Sequence, residues 1–172
     1  MISEITIDDS QVKKLLSDLS RRISDMSPVM RDISGIMMYA VEENFEQEGR
    51  PRWPDLAEST KEQRASKGKW PGKMLQVTAG GLASSCHEGS NSTSAWVDTN
   101  KVYAGPQQFG TKPFTIRPKN KPYLKFKIGD KWVVKKEIHH PGLKPRPFLK
   151  MTDEDMEKIR NVILKYMTAG TV

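Results

Sequence analysis

The side chains best suited to chemistry are three histidines, His87, His139 and His140, and a single cysteine, Cys86. Imidazole and thiolate are common zinc ligands and, brought together, the machinery of nucleophilic hydrolysis. Their spacing works against both uses. A zinc site needs three or four ligands from convergent positions. His139 and His140 are adjacent, and neighbours on a strand point to opposite faces. Cys86 and His87 diverge in the same way. The paired acids Glu42 and Glu43 sit in a helical pattern and read as a solvated face. No Gly-x-Ser-x-Gly elbow and no glycine-rich phosphate loop occurs, and "TAGGLASS" has its glycines at the wrong spacing. The sequence points to no catalytic residue, no metal site and no cofactor.

The second chemical signal is charge. The chain has 172 residues and a net charge of +7. Residues 1–50 are net −4, whereas residues 101–150 carry 13 Lys/Arg against 2 Asp/Glu, a net of +11. Lys119, Lys121, Lys125, Lys127, Lys131, Lys135 and Lys136 lie on or beside two expected strands. Clustered cations suit phosphates, with salt-dependent, sequence-neutral binding. They equally suit an acidic protein surface, and the acidic N-terminal part of a neighbouring copy is one such surface. A third reading is a solvated strand face whose lysines blunt a sheet edge. Tyr123, Phe126 and Trp132 are interleaved with these cations.

The elements that must position these groups follow from periodicity. Val12, Leu15, Leu16, Leu19 and Ile23 predict a helix over 9–25, capped by Asp9 or Ser10. Ser27-Pro28 reads as the start of a longer helix with Met30, Ile33, Met37, Val41 and Phe45 on its core stripe. Gly49 and Pro51 stop it. Residues 50–81 form an irregular segment with a short helix at 60–66 and a mobile loop at 65–74. Strands are expected at Leu82–His87 and Ser94–Asp98, then in "PFTIRP" and "KPYLKFKIGDKWVVKKEI", where Gly129-Asp130 is a hairpin turn. On the first arm of that hairpin, Leu124, Phe126 and Ile128 alternate with Tyr123, Lys125 and Lys127, one face apolar and the other basic. Thr152, followed by Asp153, Glu154 and Asp155, reads as a capping box opening a last helix. Its expected buried stripe is Met156, Ile159, Ile163 and Tyr166, and its end lies near Gly170.

The expected fold is therefore α+β: a single domain over 1–172, with N-terminal helices and a C-terminal helix packed on one mainly antiparallel sheet. The parts are helices over 1–49, the irregular segment, the sheet over 82–149 and the helix over 150–170. One cysteine permits no internal disulfide and fits a reducing compartment. No apolar run approaches the ~18 residues of a membrane span. The N-terminus lacks a basic-then-apolar signal pattern.

Four stretches in order, "NFEQEGRPRWPDLAEST", "KMLQVTAGGLASS", "VYAGPQQFGT" and "HHPGLKPRPFLKMTDED", resemble the phage virion morphogenesis family of Mu-like phages. Arg50, Pro51, Arg52, Trp53 and Leu56 match its first motif. Leu75, Thr78, Gly80 or Gly81, Leu82 and Ser85 match the second, with an extra glycine that leaves the alignment open by one residue. Tyr103, Ala104, Phe109 and Gly110 match the third, and Arg146, Pro147, Phe148 and Leu149 the fourth. The resemblance implies a structural virion protein without enzymatic activity, acting in tail completion or head–tail joining. It would form a ring, by analogy a hexamer, at the top of the tail. Its partners would be itself, the tail tube or terminator and the head connector, with DNA passing through the ring. The alternative is a basic nucleic-acid-binding module in packaging or another DNA-associated role. In the last motif Pro145 and Pro147 hold the chain extended around Arg146, and Phe148 and Leu149 are expected to anchor the corner in the core.

Overall fold

The computed structural model describes residues 8–128 and 131–169. The elements in chain order are α1 Ser10–Ser24, α2 Ser27–Glu46, α3 Glu58–Ala65, β1 Cys86–Ser90, β2 Ala95–Thr99, α4 Ala104–Phe109, β3 Phe114–Ile116, β4 Leu124–Ile128, β5 Lys131–Lys135, β6 Ile138–His140 and α5 Asp153–Thr168. A 3-10 turn, Ala83–Ser85, precedes β1. The α+β class is as expected. The strands, however, do not join in one sheet: β1 pairs with β2, β3 with β6 and β4 with β5, as three two-stranded antiparallel ribbons among the described residues.

The chain clusters into two compact units. One takes in the chain up to Met38, Glu88–Val97 and the chain from Thr152; the other is Tyr39–His87 with Asp98–Met151. In the first unit α1 packs along α5. Arg22 ties the pair: its Nη1 donates to the carbonyls of Tyr166 at 3.1 Å and Met167 at 2.8 Å, and its Nη2 donates to Ala169. A cation on the free carbonyls of a helix end is favourable on both hydrogen-bond and dipole grounds. In return the Tyr166 hydroxyl donates to the Asp25 carbonyl at 2.7 Å.

The start of α5 is a reciprocal capping box. Thr152 Oγ1 accepts from the Asp155 backbone N–H at 3.3 Å, and Asp155 Oδ2 accepts from the Thr152 N–H at 2.9 Å. Asp155 is fully buried, so this box also satisfies a carboxylate taken out of water. At the tip of the β1–β2 ribbon, the Asn91 side chain accepts from the N–H groups of Thr93 and Ser94, closing the turn. The Trp96 indole lies so close over Gly89 that a Cβ there would overlap it.

Burial of the helical stripes is partial, and the stripe expected to be buried on α5 is so only in part. No residue of α1 is buried; Val12, Leu15, Leu16 and Ile23 are all exposed, and Leu19 is half-buried. On α5, Met156 is exposed, whereas Ile159, Ile163 and Tyr166 are half-buried. The periodicity is real, but only part of each stripe is covered among the described residues. Asp9 is the N-cap residue of α1 but makes no side-chain capping bond, its carboxylate pairing with Lys13 at 3.0 Å, and Asp8 instead accepts from the Ser10 N–H at 3.0 Å. Ser27 is the first residue of α2, its N–H held by Asp25 Oδ1 at 3.0 Å. The short helix begins earlier than expected, with Ala57 as its N-cap. β1 starts at Cys86, Leu82 preceding it as a core residue, and extends into the stretch expected as a loop. The end expected near Gly170 and the turn at Gly129-Asp130 lie outside the described residues.

The box makes a measurable claim. Thr152→Ala removes one capping oxygen and strips Asp155 of a hydroxyl donor, and should lower the unfolding free energy by about 1–2 kcal/mol. Thr152→Ser, which keeps the oxygen, should cost well under half of that in the same urea titration.

Candidate functional site

The second unit is organised around a buried amide. Asn44, in the last turn of α2, is fully buried. Its Nδ2 donates to the carbonyls of Phe148 at 2.8 Å and Lys150 at 2.7 Å, and its Oδ1 accepts from Arg50 Nε at 3.1 Å. Arg50 Nη2 also donates to the Ala40 carbonyl at 2.9 Å, which folds the chain back on the end of α2. Glu48 and Gly49 make the reversal in the left-handed region, at φ of 56° and 103°. Gly49 has a steric reason to be glycine, since a Cβ there would overlap the Trp53 indole.

The reversal delivers Trp53 to the segment that closes the unit. Its ring stands edge-on to Phe45, with centroids 5.9 Å apart, and Phe45 lies against Phe148 at 5.4 Å. Such aromatic pairs add about 0.5–1.5 kcal/mol to burial alone. The indole N–H donates to the Pro147 carbonyl at 3.3 Å. Arg146 reaches the other way: Nε donates to the Pro54 carbonyl at 3.1 Å and Nη2 to Asp55 at 3.0 Å. Burial, aided by the nearby Arg64 guanidinium, pulls Arg146 below the ordinary arginine range, and Asp55 opposes the shift. The N–H of Arg146 donates to the Gln107 carbonyl at 2.7 Å, and that of Leu149 to Gln108 Oε1 at 3.0 Å. Residues 44–55, the α4 turn and residues 146–150 thus interlock around one cluster.

The sequence motifs meet here, with uneven roles. Arg50, Trp53, Arg146, Pro147 and Phe148 form the lock. Pro51 and Arg52 are exposed, Arg52 pairing with Glu48 at 3.3 Å, and Leu56 is half-buried. Leu149, expected in the core, is exposed; directly after Phe148, its backbone rather than its side chain makes the contact. Leu82 and Ser85 are buried; Ser85 Oγ donates to the Leu82 carbonyl at 2.8 Å and bonds Thr99 Oγ1 at 2.7 Å. The Thr78 carbonyl closes a turn onto the Gly81 N–H at 3.0 Å, and Leu75 holds a φ of 60°. Tyr103 is the N-cap of α4, and Phe109 is 80% exposed. Gly110 ends α4 at φ 73°, where a Cβ would press on the Leu143 carbonyl. Asn44, Gln107 and Gln108 were not singled out from sequence. For Asn44 the signal was available: a buried amide beside Val41 and Phe45 on an apolar helix stripe demands partners.

The basic region is a nested ribbon. Phe114, Thr115 and Ile116 pair with His140, His139 and Ile138; beyond this short ladder, β4 and β5 pair from Leu124↔Lys135 to Ile128↔Lys131. Directly opposite residues share a face. One face of β4–β5 therefore carries Leu124 and Phe126 with Val133, Lys131 and Lys135. The other carries Lys125 and Lys127 with Trp132 and Val134. The clean split into an apolar and a basic face holds on β4 only. On β5 the register brings the lysines round to the Phe126 face, so cations stand on both faces. Leu124, Phe126 and Val133 are half-buried, whereas Trp132 is 64% and Val134 53% exposed. Lys125 Nζ sits 4.9 Å from the Trp132 ring centroid. Lys119, Lys121, Lys125, Lys131, Lys135 and Lys136 are exposed, and among the described residues none has a carboxylate within ion-pair distance.

The chemistry-bearing side chains stay apart. His139 is exposed, its Nδ1 3.0 Å from Thr115 Oγ1. His140 stacks on Phe114 at 4.7 Å, and its Nδ1 accepts from the Gly142 N–H. No group of three or more metal-binding side chains converges among the described residues. Cys86 is buried, its Sγ 3.5 Å from the Leu82 carbonyl. Burial, with a smaller effect of Asp98, pushes its thiol up to about 11.

Two measurements probe this arrangement. Asn44→Ala should cost about 2–4 kcal/mol in denaturant titration, because it orphans two carbonyls and the Arg50 contact at once. Cys86 should react with iodoacetamide at pH 8 at least about 100-fold more slowly in the folded chain than in urea, since a raised pKa leaves little thiolate. A folded-state rate close to the unfolded one would contradict the buried, protonated thiol.

Comparison with known proteins completes the picture. The model of the phage virion morphogenesis family matches residues 7–168. A "Mu-like prophage FluMu G protein 2" of Haemophilus influenzae is 36% identical over 110 residues, covering 63% of this chain and 71% of the relative. No solved structure matches. The family's task is building the virion, which supports a role in phage virion assembly, a structural one, and an association with the particle. No helix of the described residues is long and apolar enough to cross a membrane. With its match running almost from end to end, the chain belongs to the phage virion morphogenesis family.

Proposed function

We propose that this chain completes the phage tail and joins it to the head, as a ring, six copies by analogy, between the tail tube or terminator and the head connector. The observation that carries the reading is uncovered apolar surface. Val12, Leu15, Leu16 and Ile23 of α1, Met156 and Leu164 of α5, and Val102 and Phe109 beside α4 are all exposed. Isolated apolar side chains on a surface are ordinary, but four on one helix face are the mark of a surface made to be covered. Family membership says what kind of particle supplies the cover. The work is structural: burial raises the Cys86 thiol and His139 and His140 are engaged separately, so the chain's contribution is shape and contact. On this reading the protein is made in the host cytoplasm and ends in the neck of the virion.

A second reading, contact with nucleic acid, is favoured by the exposed lysines Lys125, Lys131 and Lys135 of the ribbon, which have no carboxylate within ion-pair distance among the described residues. In a ring, those cations would meet passing DNA without reading its sequence.

Particles produced without this protein decide the first reading. Electron micrographs should show filled heads beside free tails, and supplying the chain in trans should restore joined particles. Normal virions in its absence would end the proposal. For the second reading, affinity for a random-sequence duplex should fall steeply with salt, and replacing Lys125, Lys127 and Lys135 by Glu should flatten that slope by about two to three units. Binding indifferent to salt would remove it.

A further inference from the structure

The β4–β5 ribbon carries cations that no nearby acid balances and a ring that stands mostly open. Lys125, Lys131 and Lys135 are exposed, and among the described residues no carboxylate lies within ion-pair distance of them. Trp132 is 64% exposed on the face that it shares with Lys125, whose Nζ lies 4.9 Å from the ring centroid. The ammonium thus covers part of the indole and leaves most of it free. Val134 is exposed two residues along the same face, and Tyr123 offers a second exposed ring just before β4. Many of the chain's own acids are already matched. Asp18 is paired with Arg21, Glu46 with Lys73, Glu48 with Arg52, Glu154 with Lys158 and Glu157 with Arg160. A second copy would bring these acids bound to their own cations, so the unmatched positive charge selects a polyanion from outside the chain.

We propose that this ribbon binds an unpaired nucleic-acid strand, with Trp132 as the platform for a stacked base and Lys125, Lys131 and Lys135 as phosphate contacts. The lysines alone would suit any phosphate backbone, and the ring decides between its two forms. A duplex keeps its bases stacked on one another and turns sugar and phosphate outward, so an exposed indole gains little from lying against it. An unpaired strand presents base faces, and a base stacked on an aromatic side chain gains affinity without reading sequence. Lys125 beside the ring puts a cation within reach of the phosphate attached to that base. In a two-stranded ribbon both strands are edges. A strand crossing β5 therefore meets Trp132 on one face and the positions of Lys131 and Lys135 on the other. The inference rests on the nucleic-acid reading above and narrows it to unpaired nucleotides.

The test compares a thymidylate oligonucleotide of about 20 nucleotides with a blunt duplex of similar length, by fluorescence anisotropy on the purified chain. The single strand should bind at least about fivefold more tightly. Trp132→Ala should lower single-strand affinity about five- to 100-fold and leave duplex affinity within about twofold, because only the single strand stacks. Trp132→Phe, which keeps a ring, should recover most of the loss. A tryptophan with a merely structural role would not split the two ligands in this way. Replacing Lys125, Lys131 and Lys135 by Ala should reduce the salt slope for the single strand by about two units. Equal or tighter binding of the duplex, or a Trp132→Ala variant that leaves the single strand unaffected or weakens both ligands alike, would overturn the stacking while the nucleic-acid reading stands. No affinity for either ligand at low salt would remove both. Self-association weakened by Trp132→Ala, in a chain without such affinity, would assign the face to a protein partner and overturn the proposal as well. The joining role is decided separately, by the particles made without the chain.

Discussion

One buried amide constrains the larger unit. Asn44 is fully buried; its two N–H donors find the Phe148 and Lys150 carbonyls, and its oxygen accepts from the Arg50 guanidinium. A buried polar group left unpaired costs 1–3 kcal/mol, so the chain gains by bringing residues 148–150 to the end of α2 and holding them there. Everything else in the cluster follows from that meeting. Once Phe148 is seated on Phe45, Trp53 closes the side, and its N–H has only the Pro147 carbonyl to reach. Arg146, pointing the other way, finds the carbonyls of Pro54 and Asp55. Proline at 145 and 147 suits this segment, because its carbonyls and the side chain of Arg146 carry the contacts and it forms no ladder.

Much of this was legible in the amino-acid string, and the limits have physical causes. Local signals read well: Thr152 with Asp155 predicted a capping box that is present, and Gly49 with Pro51 marked the end of α2. These depend on interactions spanning three or four residues, which a sequence displays directly. Burial read poorly. The stripe of α1 announces an amphipathic helix, but periodicity cannot say whether the cover comes from the same chain. Val12, Leu15, Leu16 and Ile23 set the helical spacing and yet stand exposed. Register follows from the pairing Ile128↔Lys131 on either side of the two residues expected as the turn, and one residue of slip would exchange every side chain between faces. Val133 then stands across from Phe126, and the lysines are shared between both sides, which alternation along β4 alone does not reveal.

The four motifs were visible as text without their reason. Arg50 and Trp53 lie almost a hundred residues from Arg146 and Phe148, and no local rule connects them. The structure supplies the connection as hydrogen bonds from indole and guanidinium to backbone carbonyls. Carbonyl acceptors leave no residue-type signature on their own positions, so the missing partners could be sought only from the donor side. Asn44 was the donor to look for. An amide on the apolar stripe of a helix is a demand for acceptors elsewhere in the fold.

The charge distribution argues for contact rather than chemistry. A catalytic site gathers perturbed groups into a shared, water-poor space. Here burial moves Cys86 away from reactivity, and His139 and His140 have separate local partners. The lysines sit in the open, where a salt bridge within the chain would contribute little. Cations so placed gain most when a partner removes the surrounding water, and the exposed Trp132 and Val134 beside them supply apolar area that rewards its removal. A ribbon of two strands has marginal stability by itself. Covering that open face would also hold the ribbon from outside.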